Sequence, residues 1–201
     1  LTAEQIHAID VIEQMRSLQN GSCVLLDGVT GSGKTEVYLQ VISKVLSEGK
    51  NAIVLVPEIS LTPQTVARFK SRFGDEIAVM HSKMTQAQRR QQWFWIKDGN
   101  ARVVIGARSA LFSPLKNVGI VVIDEEHETS YKQESAPRYH ARTVAKKLME
   151  EAGGVLVLGS ATPSIEAIYC SKHNADWRRV ELSARATGQS MPKVEIVNMT
   201  T

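Results

Sequence analysis

The octet Gly28-Val29-Thr30-Gly31-Ser32-Gly33-Lys34-Thr35 has the spacing G-x-x-x-x-G-K-[ST]. In that spacing, glycines let successive backbone N–H groups turn toward one anion. The chemistry is phosphate binding. Gly28, Thr30, Gly31, Ser32 and Gly33 form the cradle, Lys34 reaches the outer phosphates of a nucleoside triphosphate, and the Thr35 hydroxyl is a ligand for Mg²⁺. A second cluster, Val121-Val122-Ile123-Asp124-Glu125-Glu126-His127, ends an apolar run in carboxylates. Downstream of a phosphate loop, Asp124 is assigned to the metal and Glu125 to the attacking water. Adjacent carboxylates repel, and a nearby cation relieves the repulsion. A third cluster, Gly159-Ser160-Ala161-Thr162-Pro163, offers small hydroxyls. Ser160 and Thr162 are expected to hydrogen-bond the acids and relay the state of the outer phosphate; taken locally, the same residues also read as a helix cap.

Elements must hold these clusters together. Short Val/Ile/Leu-rich runs at 23–27, 52–56, 77–81, 102–106, 119–124 and 155–159 read as strands buried on both faces of a parallel sheet. Helical periodicity between them predicts helices over 4–18, 34–48, 62–73, 85–97, 141–152 and 164–172. This alternation implies an α/β sandwich, with helices on both faces of a mostly parallel sheet. Ligands in such sheets bind at the carboxyl ends of strands, where Gly28, Pro57, Gly106, Asp124 and Gly159 all fall. Trp93 and Ile96 share one face of the 85–97 helix and are expected to pack in the core. His81 reads as a locally satisfied histidine. Residues 128–140 form a polar loop, and 183–201 reads as a linker with a short strand at 194–197.

The 201 residues bound the rest. A hydrophobic content of 43% with 22% charged residues describes an ordinary globular domain. No apolar run reaches the length of a membrane span, so no membrane partner is expected. The polar opening Leu1-Thr2-Ala3-Glu4-Gln5 carries no secretory signal, and the missing initiator Met suggests a piece of a longer protein. A net charge of +3 is compatible with a polyanionic partner without requiring one. Cys23 and Cys170, the only cysteines, form no zinc pattern or disulfide framework and suit a reducing cytoplasm.

In sequence, GVTGSGKT, DEEH and GSAT resemble motifs I, II and III of superfamily 2 helicases. The longer runs VPEISLTPQ at 56–64, GARSALFSPL at 106–115, DEEHETSYKQESAPRYHAR at 124–142 and GSATPS at 159–164 are similar to the PriA (primosomal protein N′) family of replication-restart DNA helicases. The likeness spans about residues 1–197. It implies a RecA-like first motor lobe over 1–182, followed by a linker toward a second lobe. Gln5 matches the residue that reads adenine. Ser60, Thr62, Gln64, Arg108 and Ser109 fall in elements that meet the nucleic-acid backbone, although capping and turn formation would use the same side chains. The 131–142 loop matches one that couples single-stranded DNA to hydrolysis. There Tyr131 and Tyr139 would stack on bases, while Lys132, Arg138 and Arg142 would meet phosphates; the alternative is that the tyrosines pack against the sheet. His127 would couple ATP state to DNA.

The resemblance further implies ATP and Mg²⁺ as cofactors, movement 3′ to 5′ along single-stranded DNA, and recognition of forked DNA. It implies a second lobe and an N-terminal DNA-binding region in the same protein. Other primosome proteins and single-strand-binding protein would be partners, at a cytoplasmic, nucleoid-associated location. Zinc is expected only in a part of the family protein outside this chain. The chain carries no Q-x-x-G-R-x-x-R element to supply arginine fingers, so it is expected to bind nucleotide weakly and hydrolyse it barely; a missing finger costs on the order of 10³–10⁵ in rate. Three other readings remain: a nucleotide- or DNA-binding module without catalysis, a different DNA translocase, and a small-molecule kinase, which would need a lid and acceptor pocket in place of DEEH, GSAT and the 131–142 loop.

Overall fold

The computed structural model describes residues 1–186. Of the expected linker only 183–186 is described, and the strand expected at 194–197 lies outside the described residues. In chain order the main elements are α1 (Ala3–Ser17), β1 (Cys23–Gly28), α2 (Lys34–Ser47), β2 (Asn51–Leu55), α3 (Pro63–Phe73), β3 (Ile77–Met80), α4 (Gln86–Lys97), β4 (Val103–Gly106), β5 (Val118–Asp124), β6 (Lys132–Gln133), β7 (Tyr139–His140), α5 (Ala141–Ala152), β8 (Val155–Ser160), α6 (Ile165–His173) and β9 (Trp177–Leu182). Seven strands form one sheet in the order β3-β4-β2-β5-β8-β1-β9. Every pairing in it is parallel. The two-residue strands β6 and β7 pair antiparallel on their own.

Alternate residues of each strand feed two cores. Val24, Leu26, Val54 and Val122 pack with α1, α2 and α3 through Ile12, Val37, Val41 and Phe69. Cys23, Leu25, Ile53 and Ile123 face the other way, onto Ile96 of α4, Ala145 and Met149 of α5 and Ala167 of α6. The outcome is the expected three-layer sandwich. The six strands and six helices expected from the sequence are all present, with ends shifted by a residue or two. Capping explains the helix starts. Thr2 and Thr85 form capping boxes with Gln5 and Gln88, and Thr62 and Ser164 cap α3 and α6.

Two expectations need correction. Strand β9 was not anticipated. Its inward residues Trp177, Val180 and Leu182 are buried, but Arg178, Arg179 and Glu181 between them are exposed, as suits a sheet edge. Trp93 is not a core residue. Only Ile96 of that face is buried, at 2%, whereas Trp93, Phe94 and Trp95 are 38%, 43% and 42% exposed. Trp93 instead packs edge-on against Phe94, with the Lys97 ammonium 5.1 Å from its ring centre.

Candidate functional site

Three neighbouring strands carry the three motifs to one edge. In the order β5-β8-β1, Asp124 lies beside Gly159, and Ser160 lies beside Asp27, the residue before the phosphate loop. Gly31 and Gly33 adopt φ of +83° and +85°, the left-handed region that a side chain strains, so the loop can turn its N–H groups inward. Gly33 is also crowded: a Cβ there would overlap the Gln5 amide. Gln5 is buried at 4% and donates from Nε2 to the Ser32 carbonyl at 2.9 Å, while its Oε1 accepts from the Thr2 N–H. The residue expected to read adenine therefore also ties α1 to the phosphate loop.

Lys34 opens α2 and is 8% exposed. Its Nζ donates to the Gly28 carbonyl at 2.7 Å. Ser32 Oγ is buried without a hydrogen-bond partner, and burying such a group costs free energy until a ligand or water satisfies it. Loop N–H groups, a lysine and an unsatisfied hydroxyl make a donor set that fits a phosphate chain. A cleft of about 970 Å³ is lined by Thr2, Gln5, Thr30–Thr35, Asp124 and Glu125. Thr35 and Asp124 also border an adjoining cleft of about 710 Å³, with Ser60, Thr62 and Gln64. These two oxygens fit Mg²⁺, which is commonly held by one or two protein ligands while phosphates and water fill the remainder. Among the described residues, no three His, Cys, Asp or Glu side chains are grouped to hold a metal by themselves.

The acids are held in a poised state. The Tyr38 hydroxyl donates to Asp124 Oδ1 at 2.9 Å, from the turn of α2 that follows Lys34. Gly159 makes this possible, since a Cβ there would overlap that hydroxyl. Burial pushes the Asp124 carboxyl pKa up, opposed by the Tyr38 hydrogen bond and the attraction of Lys34. Burial and then repulsion from Asp124 push Glu125 up as well. Glu125 has φ of +47°, a conformation that costs a non-glycine residue roughly 1 kcal/mol or more. His127 Nδ1 lies 2.7 Å from Ser160 Oγ and 3.7 Å from a Glu125 oxygen. Ser160 Oγ also accepts the Thr162 backbone N–H at 3.0 Å. His127, Ser160 and Thr162 thus meet, although Thr162 takes part through its backbone.

Behind the acids, Glu126 turns the other way. It is 3% exposed, and its carboxylate accepts from Ser164 N–H at 2.6 Å, Ser164 Oγ at 3.0 Å and Arg142 at 3.1 Å. Two residues assigned to DNA are therefore corrected. Arg142 is partly exposed, and its guanidinium is engaged by buried Glu126 and by Ser164 Oγ at 2.9 Å. Tyr131 is 1% exposed and donates its hydroxyl to the Asp124 carbonyl at 2.6 Å, so it packs against the sheet and leaves no ring face for a base. Arg108 is spent on the same loop. It donates to the Ser130 and Lys132 carbonyls at 2.9 and 2.5 Å and to Gln133, and its guanidinium lies 5.6 Å from the Tyr139 ring centre. Exposed Ser109 borders a cleft of about 290 Å³ with Arg108 and Tyr139. Lys132, Arg138 and Tyr139 border another of about 590 Å³. Tyr139 meets Phe112 edge-on at 5.2 Å, and Phe112 is 57% exposed.

Tyr38, Glu126 and Ser164 contribute to the site without having been singled out by sequence. Only Tyr38 left a signal: a hydroxyl within an otherwise aliphatic core helix, one turn from Lys34, needs a polar partner.

A parallel sheet with a phosphate loop after β1 and paired acids after β5 defines a nucleoside-triphosphate-binding lobe. The chain belongs to the DEAD/DEAH box helicase family, whose model matches residues 2–169. It is 50% identical over 199 residues to the replication restart protein PriA of Bacillus subtilis (strain 168), covering 99% of this chain and 25% of that protein. It is 45% identical over 200 residues to the PriA protein of Chlamydia pneumoniae, covering 99% of this chain and 27% of that protein. The chain thus spans about a quarter of the length of these relatives. Among solved structures, its fold matches the DUF1998 helicase MrfA bound to DNA and AMPPNP, with a TM-score of 0.61, 20% identity and coverage of 90% of this chain and 27% of that one. It also matches the Pyrococcus furiosus Hef helicase domain, with a TM-score of 0.57, 18% identity and coverage of 85% and 37%. Among the described residues, no helix is long and apolar enough to cross a membrane.

Proposed function

We propose that this chain is the ATP-binding motor lobe of a 3′-5′ DNA helicase that acts in replication restart. The observation that carries the reading is the Tyr38–Asp124 hydrogen bond of 2.9 Å, because it brings the helix that begins at Lys34 against the acid motif. Backbone N–H groups of Thr30, Gly31, Gly33, Lys34 and Thr35 and the Lys34 ammonium take the phosphates, with Lys34 exchanging the Gly28 carbonyl for phosphate oxygens. Gln5 sets the adenine. Thr35 and Asp124 hold Mg²⁺, which when bound neutralises charge on the outer phosphates. Glu125 orients the water and accepts its proton, a role suited by a carboxyl whose pKa burial and the neighbouring Asp124 push up. His127, Ser160 and Thr162 pass the outcome to the loop that Arg108 and Tyr131 hold.

Single-stranded DNA lies along Ser109, Lys132, Arg138 and Tyr139, with Tyr139 the remaining tyrosine able to stack. Forked DNA, a second lobe and an N-terminal DNA-binding region of the same protein complete the machine. Other primosome proteins and single-strand-binding protein are further partners, in the cytoplasm at the nucleoid, and any zinc belongs to those other parts. The test is Mg²⁺-dependent ATP hydrolysis by the chain alone and with the following lobe supplied, each with and without single-stranded DNA. DNA-stimulated turnover only with the second lobe, abolished by Lys34→Ala, is expected. Robust DNA-independent turnover by the chain alone would overturn the reading.

A further inference from the structure

The chain leaving β9 turns back across the phosphate loop. Glu4, in the first turn of α1, accepts from Ser183 Oγ at 2.6 Å and from the Ala184 N–H at 3.3 Å. The Ala186 N–H then donates to the Gly31 carbonyl at 2.9 Å. Ala186 thereby becomes part of the wall of the 970 Å³ cleft, beside Gln5 and Gly33. Between these two fastenings stands Arg185. Its Cγ and Cδ lie 3.8 and 4.0 Å from where a Cβ on Gly31 would sit.

Three buried side-chain polar atoms among the described residues have no hydrogen-bond partner: Ser32 Oγ, Ser113 Oγ and Arg185 Nε. Two of the three border the phosphate loop. A buried guanidinium nitrogen without a partner is costly, and an anion in the adjacent cleft would satisfy it. Arg185 also makes no ion pair among the described residues. Arg179 of β9, by contrast, is matched to Asp27 at 2.6 Å.

We infer that Arg185 is a phosphate-binding residue of the nucleotide cleft, delivered by a strap that Glu4 and Gly31 fasten. This rests on reading the cleft as a nucleotide site. It adds a cation from beyond β9, outside all three motifs. The strap also makes the exit of the chain from this lobe one wall of the nucleotide pocket.

The test is ADP binding in the presence of Mg²⁺, by titration calorimetry on the full chain and its Arg185→Ala, Arg185→Lys and Lys34→Ala variants, with nucleotide-free melting temperatures measured alongside. Arg185→Ala should weaken ADP by about tenfold or more, the scale of one charge-assisted hydrogen bond. Arg185→Lys should recover part of the loss, and neither change should lower the nucleotide-free melting temperature. Wild-type ADP affinity in Arg185→Ala would overturn the proposal. So would a loss that comes with a lowered melting temperature and is not relieved by lysine. Failure of the wild-type chain to bind ADP, or undiminished binding by Lys34→Ala, would instead overturn the reading of the cleft.

Discussion

Glu125 has a left-handed backbone, lies half-buried at the nucleotide cleft and has its carboxyl pKa pushed up by burial and by Asp124. Glu126, one residue on, is buried and receives three hydrogen bonds, one of them from a guanidinium. The same contrast runs through the regions these residues belong to. Around the phosphate loop, Ser32 Oγ has no partner and Lys34 is satisfied only by a carbonyl of its own loop. Around the 131–142 loop, Tyr131, Arg108 and Arg142 already have theirs. The nucleotide side is thus built to be completed by a ligand, whereas the loop side is built to be rigid. In the motor reading proposed above, a rigid connection from the acid motif to the loop would let a change at Asp124 or Glu125 move the loop's backbone rather than dissipate in side chains.

The contrast is broken most strongly at Arg142. Arg142→Ala leaves the Glu126 carboxylate buried without its cation. Allowing for the partial exposure of Arg142, the expected loss is about 2–3 kcal/mol in unfolding free energy, measured by urea denaturation. Retention of wild-type stability would mean that the loop side is not held by this pair.

A smaller effect of opposite sign is expected at the nucleotide side. Asp124 and Glu125 have folded-state pKa values raised above ordinary carboxylate values. A raised acid contributes stability that is present below its unfolded pKa, near 4, and is lost as pH rises through the raised value. At neutral pH the pair therefore destabilises the ligand-free chain. Asp124→Asn should unfold at higher urea than wild type at pH 7.5, and this gap should shrink as pH falls toward 4. A gap that widens on acidification would show that Asp124 is stabilised in its charged form, and the nucleotide side would then not be waiting for a cation.

Much of this was legible in the sequence, for reasons that differ by region. Buried parallel strands are apolar on both faces, so 23–27, 119–124 and 155–159 stood out as runs. Strand β9 did not, because Arg178, Arg179 and Glu181 interrupt its buried residues at the sheet edge, where Arg179 pairs with Asp27. The phosphate loop and the acids were legible because their function lies in local spacing. Tyr38–Asp124, Glu126–Arg142 and Arg108–Ser130 were not, since each joins residues that only tertiary folding brings together. The family likeness of the 131–142 loop suggested DNA for Tyr131, Lys132, Arg138, Tyr139 and Arg142, yet Tyr131 is buried and Arg142 pairs with buried Glu126, which uses both to hold the loop. Trp93 failed for the converse reason: helical spacing placed it with Ile96, but only the latter reaches the sheet.

The most direct test of the division between the two acids is the melting temperature, without ligand at neutral pH, of Glu125→Gln beside that of Glu126→Gln. The account predicts that Glu126→Gln melts roughly 4–8 °C below wild type, corresponding to a loss of about 2 kcal/mol, while Glu125→Gln melts at or above wild type. Equal losses in the two variants, or a larger loss for Glu125→Gln, would contradict the claim that one acid waits for a ligand while its neighbour holds the loop.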